Sequence, residues 1–465
     1  MTDQPFSILP LQPSWLANLD RLGYRTMTPI QALALPAMLA GQDVLGQAGT
    51  GTGKTAAFGL AVLARTAPRS GRPGALILCP TRELAAQVAD ELRRLARPLP
   101  HTRVVTLSGG SSIERERATL AHGVDVVVGT PGRVADHLAR GRLDLGAIRT
   151  VVLDEADRML EMGFVEVVGA IVGATPARRQ TLLFSATFPD AVRALSASYQ
   201  RAAVHVTAPA AVAAAPVVHA LYDVDGAARP AALVRVLGHH QPASAVIFCN
   251  QRETCEVVAA ALTSAGFPAV ALHGGMDQHD RNTVLLLLRN GSLRFVVATD
   301  VAARGLDIDD LGAVVNYELP RERDVLVHRI GRTGRAGKAG LAISLVERRD
   351  GAALDELRAG PLAEVAIARV PDATDARPAP PAMATIAIQG GRQDKLRPGD
   401  IVGALTTEVG LAAADIGPIS ITDRISFVAI AAAHAARALA GINAGRIKNR
   451  RFRAYAVAVP RGGAA

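Results

Sequence analysis

A repeated rhythm of short, β-branched apolar runs separated by helical stretches constrains this chain more than any other feature. The runs ALILCP at 75–80, VDVVVGTP at 124–131, TVVLDEAD at 150–157 and TLLFSAT at 181–187 form a first series. Continuous apolar runs, rather than alternating ones, mark strands covered on both faces, and helices between them imply right-handed crossovers in a parallel sheet. The rhythm stops over TAPAAVAAAPVV at 207–218. It restarts with SAVIFCN at 244–250, PAVALHG at 268–274, LRFVVATD at 293–300 and GAVVNYE at 312–318. Two such series predict two tandem α/β parallel-sheet domains, over 1–206 and 216–370. A second Pro- and Ala-rich linker, PDATDARPAPPA at 371–382, precedes a small segment with its own strands and helices over 383–460. At 465 residues the chain is too long for one core, and about three domains is the expected number.

Composition narrows the function classes. No apolar run approaches the ~20 residues of a membrane span, and MTDQPFSILPLQP has no basic region followed by an apolar one, so a soluble cytoplasmic protein is expected. Cys79, Cys249 and Cys255 are odd in number and form no CxxC pair, which predicts reduced thiols, two of them within apolar runs. The net charge of +9 suggests a polyanionic partner, and eleven Lys or Arg against five Asp or Glu from Pro381 onward place much of it at the C-terminus. Only four lysines, Lys54, Lys338, Lys395 and Lys448, stand among 47 arginines. A lysine kept in so biased a chain points to a site that needs a compact ammonium.

AGTGTGKT at 48–55 follows the apolar DVL of a first strand. Glycines turning into a helix N-terminus let backbone N–H groups approach a triphosphate; Lys54 would reach its β- and γ-phosphates and the Thr55 hydroxyl would ligate Mg²⁺. Ala48 stands where the pattern has Gly, and is small enough to permit the turn. In VVLDEAD, a buried strand ending in carboxylates is costly unless a cation or water is there. Asp154 would hold Mg²⁺ through water, Glu155 would polarise the attacking water, and Asp157 would bond to another strand end. A solvated turn with a capping Asp is the competing reading, weakened by the nearby phosphate loop. In HRIGRTGR at 328–335, Arg332 and Arg335 lie on one side of a helical turn and could act as arginine fingers on a γ-phosphate, or form a basic patch for RNA backbone. If they are fingers, the ATP site is complete only when the two domains close.

With these motifs in this order, the chain resembles the DEAD-box ATP-dependent RNA helicases, which implies two RecA-like domains, ATP with Mg²⁺, and RNA as partner. GYRTMTPIQ at 23–31 resembles the family's Q motif, implying that Gln31 reads the adenine edge and Tyr24 stacks on the ring, with Phe6 upstream. Ala48, Gly49, Thr50, Gly51, Thr52, Gly53, Lys54 and Thr55 form its nucleotide loop; Gly49 replaces the family's common Gln. Pro80, Thr81 and Arg82 of PTREL, Gly109 and Gly110 of SGG, and Thr130, Pro131, Gly132 and Arg133 of TPGR resemble motifs that hold the RNA backbone. Ser185 and Thr187 of SAT, with Asp157, resemble the coupling between hydrolysis and strand opening. In the second domain Arg252, His273, Gly274, Thr299 and Asp300 fall in RNA-contact motifs, Gly305 and Asp307 of ARGLDI would meet the nucleotide ribose, and His328 would lie near the DEAD carboxylates at closure. Family mechanism implies sequence-blind backbone contact and local opening of short duplexes.

The last segment reads strand, helix, strand, strand, helix, strand, the order of an RRM-like α+β domain. Its stacking motif aligns with Asp423–Ile430 but keeps only Phe427, with Ile425 and Ile430 in the other aromatic places, so stacking at ~1–3 kcal/mol per base cannot be its main grip. GRQDKLRPGD, SFVAI and NAGRIKNRRFR together resemble the C-terminal domain of the DbpA subfamily, which implies specific docking on a hairpin of large-subunit ribosomal RNA, in its precursor particles, and a role in assembling that subunit. Arg446, Lys448, Arg450, Arg451 and Arg453 are the expected phosphate contacts. A helicase of broad RNA choice, serving cold adaptation or mRNA turnover, and an ATP-gated RNA clamp are the alternatives. No heptad seam is visible, which predicts a monomer.

Overall fold

The computed structural model describes all residues except 1–3, 50, 67–70, 111, 209–216, 225–227, 304–310, 335–338, 359–361, 373–377 and 461–465. Thr50, Gly305, Asp307 and Arg335 therefore lie outside the described residues, as does part of the 371–382 linker.

In the first compact unit seven parallel strands, β1 (Val44–Gln47), β2 (Ala75–Leu78), β3 (Val104–Leu107), β4 (Val126–Gly129), β5 (Thr150–Asp154), β6 (Gln180–Ser185) and β7 (Val204–Thr207), form a sheet of order β3-β4-β2-β5-β6-β1-β7. Alternate residues of each strand feed separate cores. Ile77, Val128, Val152 and Phe184 enter one with the helices Pro29–Leu39, Lys54–Ala64 and Arg82–Leu95. Leu76, Leu78, Val127, Val151 and Leu153 enter the other, with Val134 and Ile171. That double covering is why the runs read as unbroken hydrophobicity, each buried side chain contributing ~1.5–3 kcal/mol before chain entropy is counted.

The second unit holds two sheets. The larger is parallel and comprises β8 (Val217–Asp223), β9 (Ala245–Cys249), β10 (Ala269–Leu272), β11 (Phe295–Thr299), β12 (Ala313–Asn316), β13 (Gly340–Val346) and β14 (Ile367–Arg369), in the order β10-β11-β9-β12-β13-β8-β14. Both parallel sheets are RecA-like. The smaller is antiparallel, with β15 (Met383–Ile388), β16 (Ile416–Ile421), β17 (Ser426–Ala431) and β18 (Ala454–Ala456) ordered β16-β17-β15-β18. Its core packs Ile386, Ile388, Val428 and Ile430 against Ile401 and Leu405 and against Ala438 and Ile442 of the helix Ala435–Ala444. All three cysteines are buried and unbridged.

Parallel strands point their C-terminal ends to one edge of a sheet, and loops there collect ligand-binding groups. In the first unit the phosphate loop follows β1, PTREL follows β2, SGG β3, TPGR β4, DEAD β5 and SAT β6. Motifs spread over nearly 140 residues are thereby gathered along one edge.

Candidate nucleotide site and RNA-facing loops

The phosphate loop is held at both ends. Gln31, 1% exposed, accepts from the Thr28 N–H through Oε1 (2.9 Å) and donates from Nε2 to the Gly53 carbonyl (3.1 Å), so the Q-motif helix is tied to the loop's last residue. Gly53 is required twice. Its φ is +89°, and a Cβ there would lie 2.6 Å from Gln31 Nε2. Thr52 Oγ1 closes the loop onto the Gly49 carbonyl at 2.8 Å. A side chain at Gly49 would meet nothing within 4 Å, so the family's Gln is absent without steric consequence. Lys54 is buried and its ammonium donates to the Ala48 carbonyl at 2.7 Å, across the mouth of the loop. Tyr24 is fixed edge-on to Phe6, with ring centroids 6.3 Å apart, and its hydroxyl donates to Glu91 Oε1 at 2.8 Å. Burial, and then Glu91, push its pKa upward.

β5 delivers the acidic residues. Asp154 is buried at the strand's last position, and Glu155 follows in the left-handed region at φ 53°, a conformation a non-glycine residue holds only where its surroundings impose it. Burial pushes the Asp154 carboxyl up to about 6; Lys54 opposes this, and Glu155 and Asp157 add to it. Glu155 is buried, and its Oε2 lies without a hydrogen bond 3.4 Å from the Arg158 guanidinium. The Asp154 and Glu155 carboxylates and the Thr55 hydroxyl are hard oxygen donors of the kind that suits Mg²⁺, and a cation would offset the burial that disfavours the charged form of Asp154. Asp157 bonds to the end of the next strand. Its Oδ2 accepts from the N–H of Ala186 (3.2 Å), the N–H of Thr187 (3.0 Å) and Thr187 Oγ1 (3.0 Å), and its own N–H donates to Ser185 Oγ (3.3 Å). DEAD and SAT thus form one hydrogen-bonded unit.

The loops expected to hold the RNA backbone are organised by a residue with no place in the motif reading. Glu116, on the helix Ile113–Ala121, is buried and receives the Ser108 N–H on Oε1 (3.3 Å), while Oε2 meets Arg133 Nε (3.0 Å) and His137 Nε2 (2.8 Å). One carboxylate therefore joins the SGG loop to TPGR. Thr81 caps the helix Arg82–Leu95 by accepting from the Leu84 N–H (3.3 Å), with Pro80 buried before it. The Arg82 guanidinium lies over Gly109 so closely that a Cβ there would be 2.5 Å from Nη2; that glycine is needed for approach, whereas Gly110 supplies φ +83°. Thr130 precedes the helix Pro131–Ala139, with Pro131 at its first turn and open space above Gly132.

In the second unit the predicted contact residues again follow strand ends. Arg252 opens the helix Arg252–Ser264 and is exposed, paired with Glu253. His273, after β10, accepts from the Gly275 N–H on Nδ1 (3.2 Å); its Nε2–H then donates to Glu256 (2.7 Å), and Gly274 lies between with open space above it. Thr299 ends β11, and the Asp300 carboxylate faces a buried cation. Arg329, 1% exposed, donates from Nε and Nη2 to Asp300 (2.7 Å each), from Nη1 to Asn316 Oδ1 (3.1 Å) and the Glu318 carbonyl (2.7 Å), and from Nη2 to Asn250 Oδ1 (2.9 Å). It also lies 4.9 Å over the Phe248 ring. Arg329, absent from the sequence-derived set, therefore braces the turn that carries Thr299 and Asp300. His328 is half-buried in the last turn of the helix Arg323–Ile330, and Arg332 is buried just beyond it.

The C-terminal basic stretch is folded. Lys448 and Asn449 have φ 54° and 62°, and the Ile447 and Arg450 backbones exchange hydrogen bonds of 2.9 and 3.0 Å, so these two residues form a tight reversal with both central φ angles positive. Ile447 and Phe452 anchor it in the core. Arg450 pairs with Asp394 (3.2 Å) and lies over Phe452 (5.6 Å); Lys448 pairs with Asp400 (3.7 Å) and donates to the Lys395 carbonyl (3.3 Å). Such exposed pairs are worth ~0–1 kcal/mol, little against phosphate. Arg446, Arg451 and Arg453 are exposed around the same knuckle. On the open sheet face Phe427 pairs across Ala387 with Tyr455, 41% exposed, while Ile430 points into the core. The aromatic Tyr455 was missed because it lies on the edge strand, outside the stacking motif.

Comparison with known proteins matches these three parts. The DEAD/DEAH box helicase family model covers residues 28–195, the helicase conserved C-terminal domain 228–337, and the DbpA RNA binding domain 385–455. The chain is 46% identical to the ATP-dependent RNA helicase DbpA of Escherichia coli K12, over 95% of this chain and 97% of that one. It is 36% identical to the DbpA of Bacillus subtilis 168, over 89% and 91%. Among solved structures, Saccharomyces cerevisiae Dbp5 bound to RNA and ADP BeF3 superposes with a TM-score of 0.71 at 31% identity, covering 79% of this chain and 96% of that one. The chain belongs to the DEAD-box ATP-dependent RNA helicases, in the DbpA subfamily.

Proposed function

We propose that this helicase locally opens short RNA duplexes during large ribosomal subunit assembly, aimed there by its C-terminal domain. The carrying observation is the Arg446–Arg453 knuckle: a rigid, exposed cluster of cations whose reversal is anchored in a core. A disordered tail would bind phosphates by charge alone, whereas fixed cations can match one arrangement of them. The match of residues 385–455 to the DbpA RNA binding domain supports RNA docking by this part of the chain, and the ribosomal target is what the subfamily resemblance implies.

In the helicase core, Gln31 and Tyr24 would hold the adenine and the loop 48–53 the phosphates of ATP, with Lys54 moving from the Ala48 carbonyl to the phosphates. Thr55 and Asp154 would hold Mg²⁺, which neutralises phosphate charge when bound. Glu155 would orient the attacking water, and the Asp157–Thr187 bonds would pass the state of the DEAD turn to SAT. Arg332 and Arg335 are assigned as arginine fingers. Arg82, Gly109, Thr130 and Arg133, with Arg252, His273, Gly274 and Thr299, would hold the RNA backbone. The protein would act as a cytoplasmic monomer with domain limits at 1–206, 216–370 and 383–460.

Neutralising Arg450, Arg451 and Arg453 tests the targeting. ATPase stimulation by a large-subunit ribosomal RNA fragment should fall and its salt dependence flatten, with ATP binding unchanged. Unchanged stimulation would remove the knuckle from target choice.

A further inference from the structure

The linker and the first strand of the C-terminal domain are gripped by a single turn of the second helicase domain. That turn, Asn290–Arg294, lies between the helix Gln278–Arg289 and β11. Asn290 Nδ2 donates to Thr385 Oγ1 (3.1 Å), Ser292 Oγ meets the same hydroxyl (2.8 Å), and the Gly291 carbonyl accepts from the Met383 N–H (3.4 Å). Arg294 donates to the Pro242 (2.6 Å) and Ala243 (3.0 Å) carbonyls of its own domain and to Ala379 of the linker.

Thr385 belongs to the sheet face opposite the core, because its neighbours Ile386 and Ile388 point inward. A threonine on the outer face of a small sheet is ordinarily wet. This one is 2% exposed, and Asn290 is 3% exposed. Part of the open face is thus spent on the helicase rather than left for ligand. Beyond the turn the linker does not pack tightly: residues 378–381, with Val459 and Pro460, bridge a cleft of about 760 Å³ over Ala259, Thr263 and Ala269. The attachment therefore depends on a few polar contacts, and the Thr385 hydroxyl takes part in two of them.

We propose that this clasp is a positioning device: it fixes the knuckle's orientation on the second helicase domain, so that RNA docked there presents its neighbouring duplex in one place. Thr385 is the positioning residue, acting on no phosphate or base itself. The proposal rests on the ribosomal-target reading above.

The test measures, on the full chain, ATP-driven opening of a short duplex carrying the ribosomal hairpin, against the same duplex without it. The wild type should open the hairpin-bearing duplex faster. Thr385→Val removes both hydroxyl contacts at nearly constant shape. It should cut that advantage about tenfold, in line with two neutral hydrogen bonds, while hairpin affinity stays within about twofold. Thr385→Ser should restore it. Inserting Gly-Ser-Gly-Ser between Pro380 and Pro381 of the Thr385→Val chain lengthens the remaining covalent tie and should abolish what is left of it. If the wild type shows no hairpin advantage, the target reading fails and the positioning proposal falls with it. If the wild-type advantage survives both Thr385→Val and the insertion, the clasp alone is overturned.

Discussion

Removing the Glu116 carboxylate should separate RNA binding from nucleotide binding more cleanly than changing any motif residue. Glu116 meets Ser108, Arg133 and His137, and no phosphate-loop or DEAD residue is among these partners. Glu116→Ala leaves a fully buried imidazole and a guanidinium of 14% side-chain exposure without their anionic partner. Breaking a buried pair from one side costs ~3–5 kcal/mol; the partial exposure of Arg133 places the expected loss at the lower end, about 3 kcal/mol. For a unit of roughly 200 residues that is a fall of ~6–12 °C in melting temperature, taking ~2–4 °C per kcal/mol. The SGG and TPGR loops lose their common anchor, so the KM for RNA in the ATPase assay should rise about tenfold or more with KM for ATP within about twofold. Glu116→Gln keeps an acceptor for the Ser108 N–H and should show about half the melting shift. A melting temperature within about 1 °C of wild type and an unchanged KM for RNA would refute the anchoring role.

The raised pKa of Asp154, about 6 from burial, sets a pH dependence. Only the ionised form would hold Mg²⁺, so kcat/KM for ATP should be flat above pH 7 and fall about tenfold toward pH 5. The same group favours the ligand-free fold most below its unfolded value near 4 and loses that contribution as pH rises through about 6. Its effect on melting is thus opposite in sign to its effect on activity, and an activity profile unchanged down to pH 5 would contradict the assignment. Arg329→Met should lower the urea midpoint of the second helicase domain by an amount equivalent to ~3–5 kcal/mol, since it strands the Asp300 carboxylate. A shift below about 1 kcal/mol would mean that the Arg329 cluster is dispensable.

The sheets and their motifs were readable because a parallel βαβ architecture writes itself as buried runs, with ligand groups just beyond them. Gln31, Lys54, Asp154 and Asp157 all stand within two residues of an element's end. Glu116 and Arg329 escaped for a common reason: each is a charged residue amid other charged residues, in IERER and HRIGR. Their signal was spacing. Glu116 lies between Ile113 and Leu120 at helical intervals, and Arg329 follows Leu326 by three, so both occupy apolar stripes. A charge on such a stripe is buried and must be paired. The Lys448–Asn449 reversal was unreadable as structure because neither residue announces a positive φ as glycine would. The clasp at Thr385 depends on contacts between segments nearly a hundred residues apart, which no local pattern encodes.

The proposed function makes this chain a DEAD-box engine directed by a specific RNA. ATP hydrolysis measured with a large-subunit ribosomal RNA fragment and with an unrelated RNA of equal length tests it most directly, with Glu155→Gln as the turnover-deficient control. Activity should be low without RNA and rise sharply with the ribosomal fragment only, and the control should bind ATP and RNA without turnover. Equal stimulation by both RNAs would contradict the proposed function.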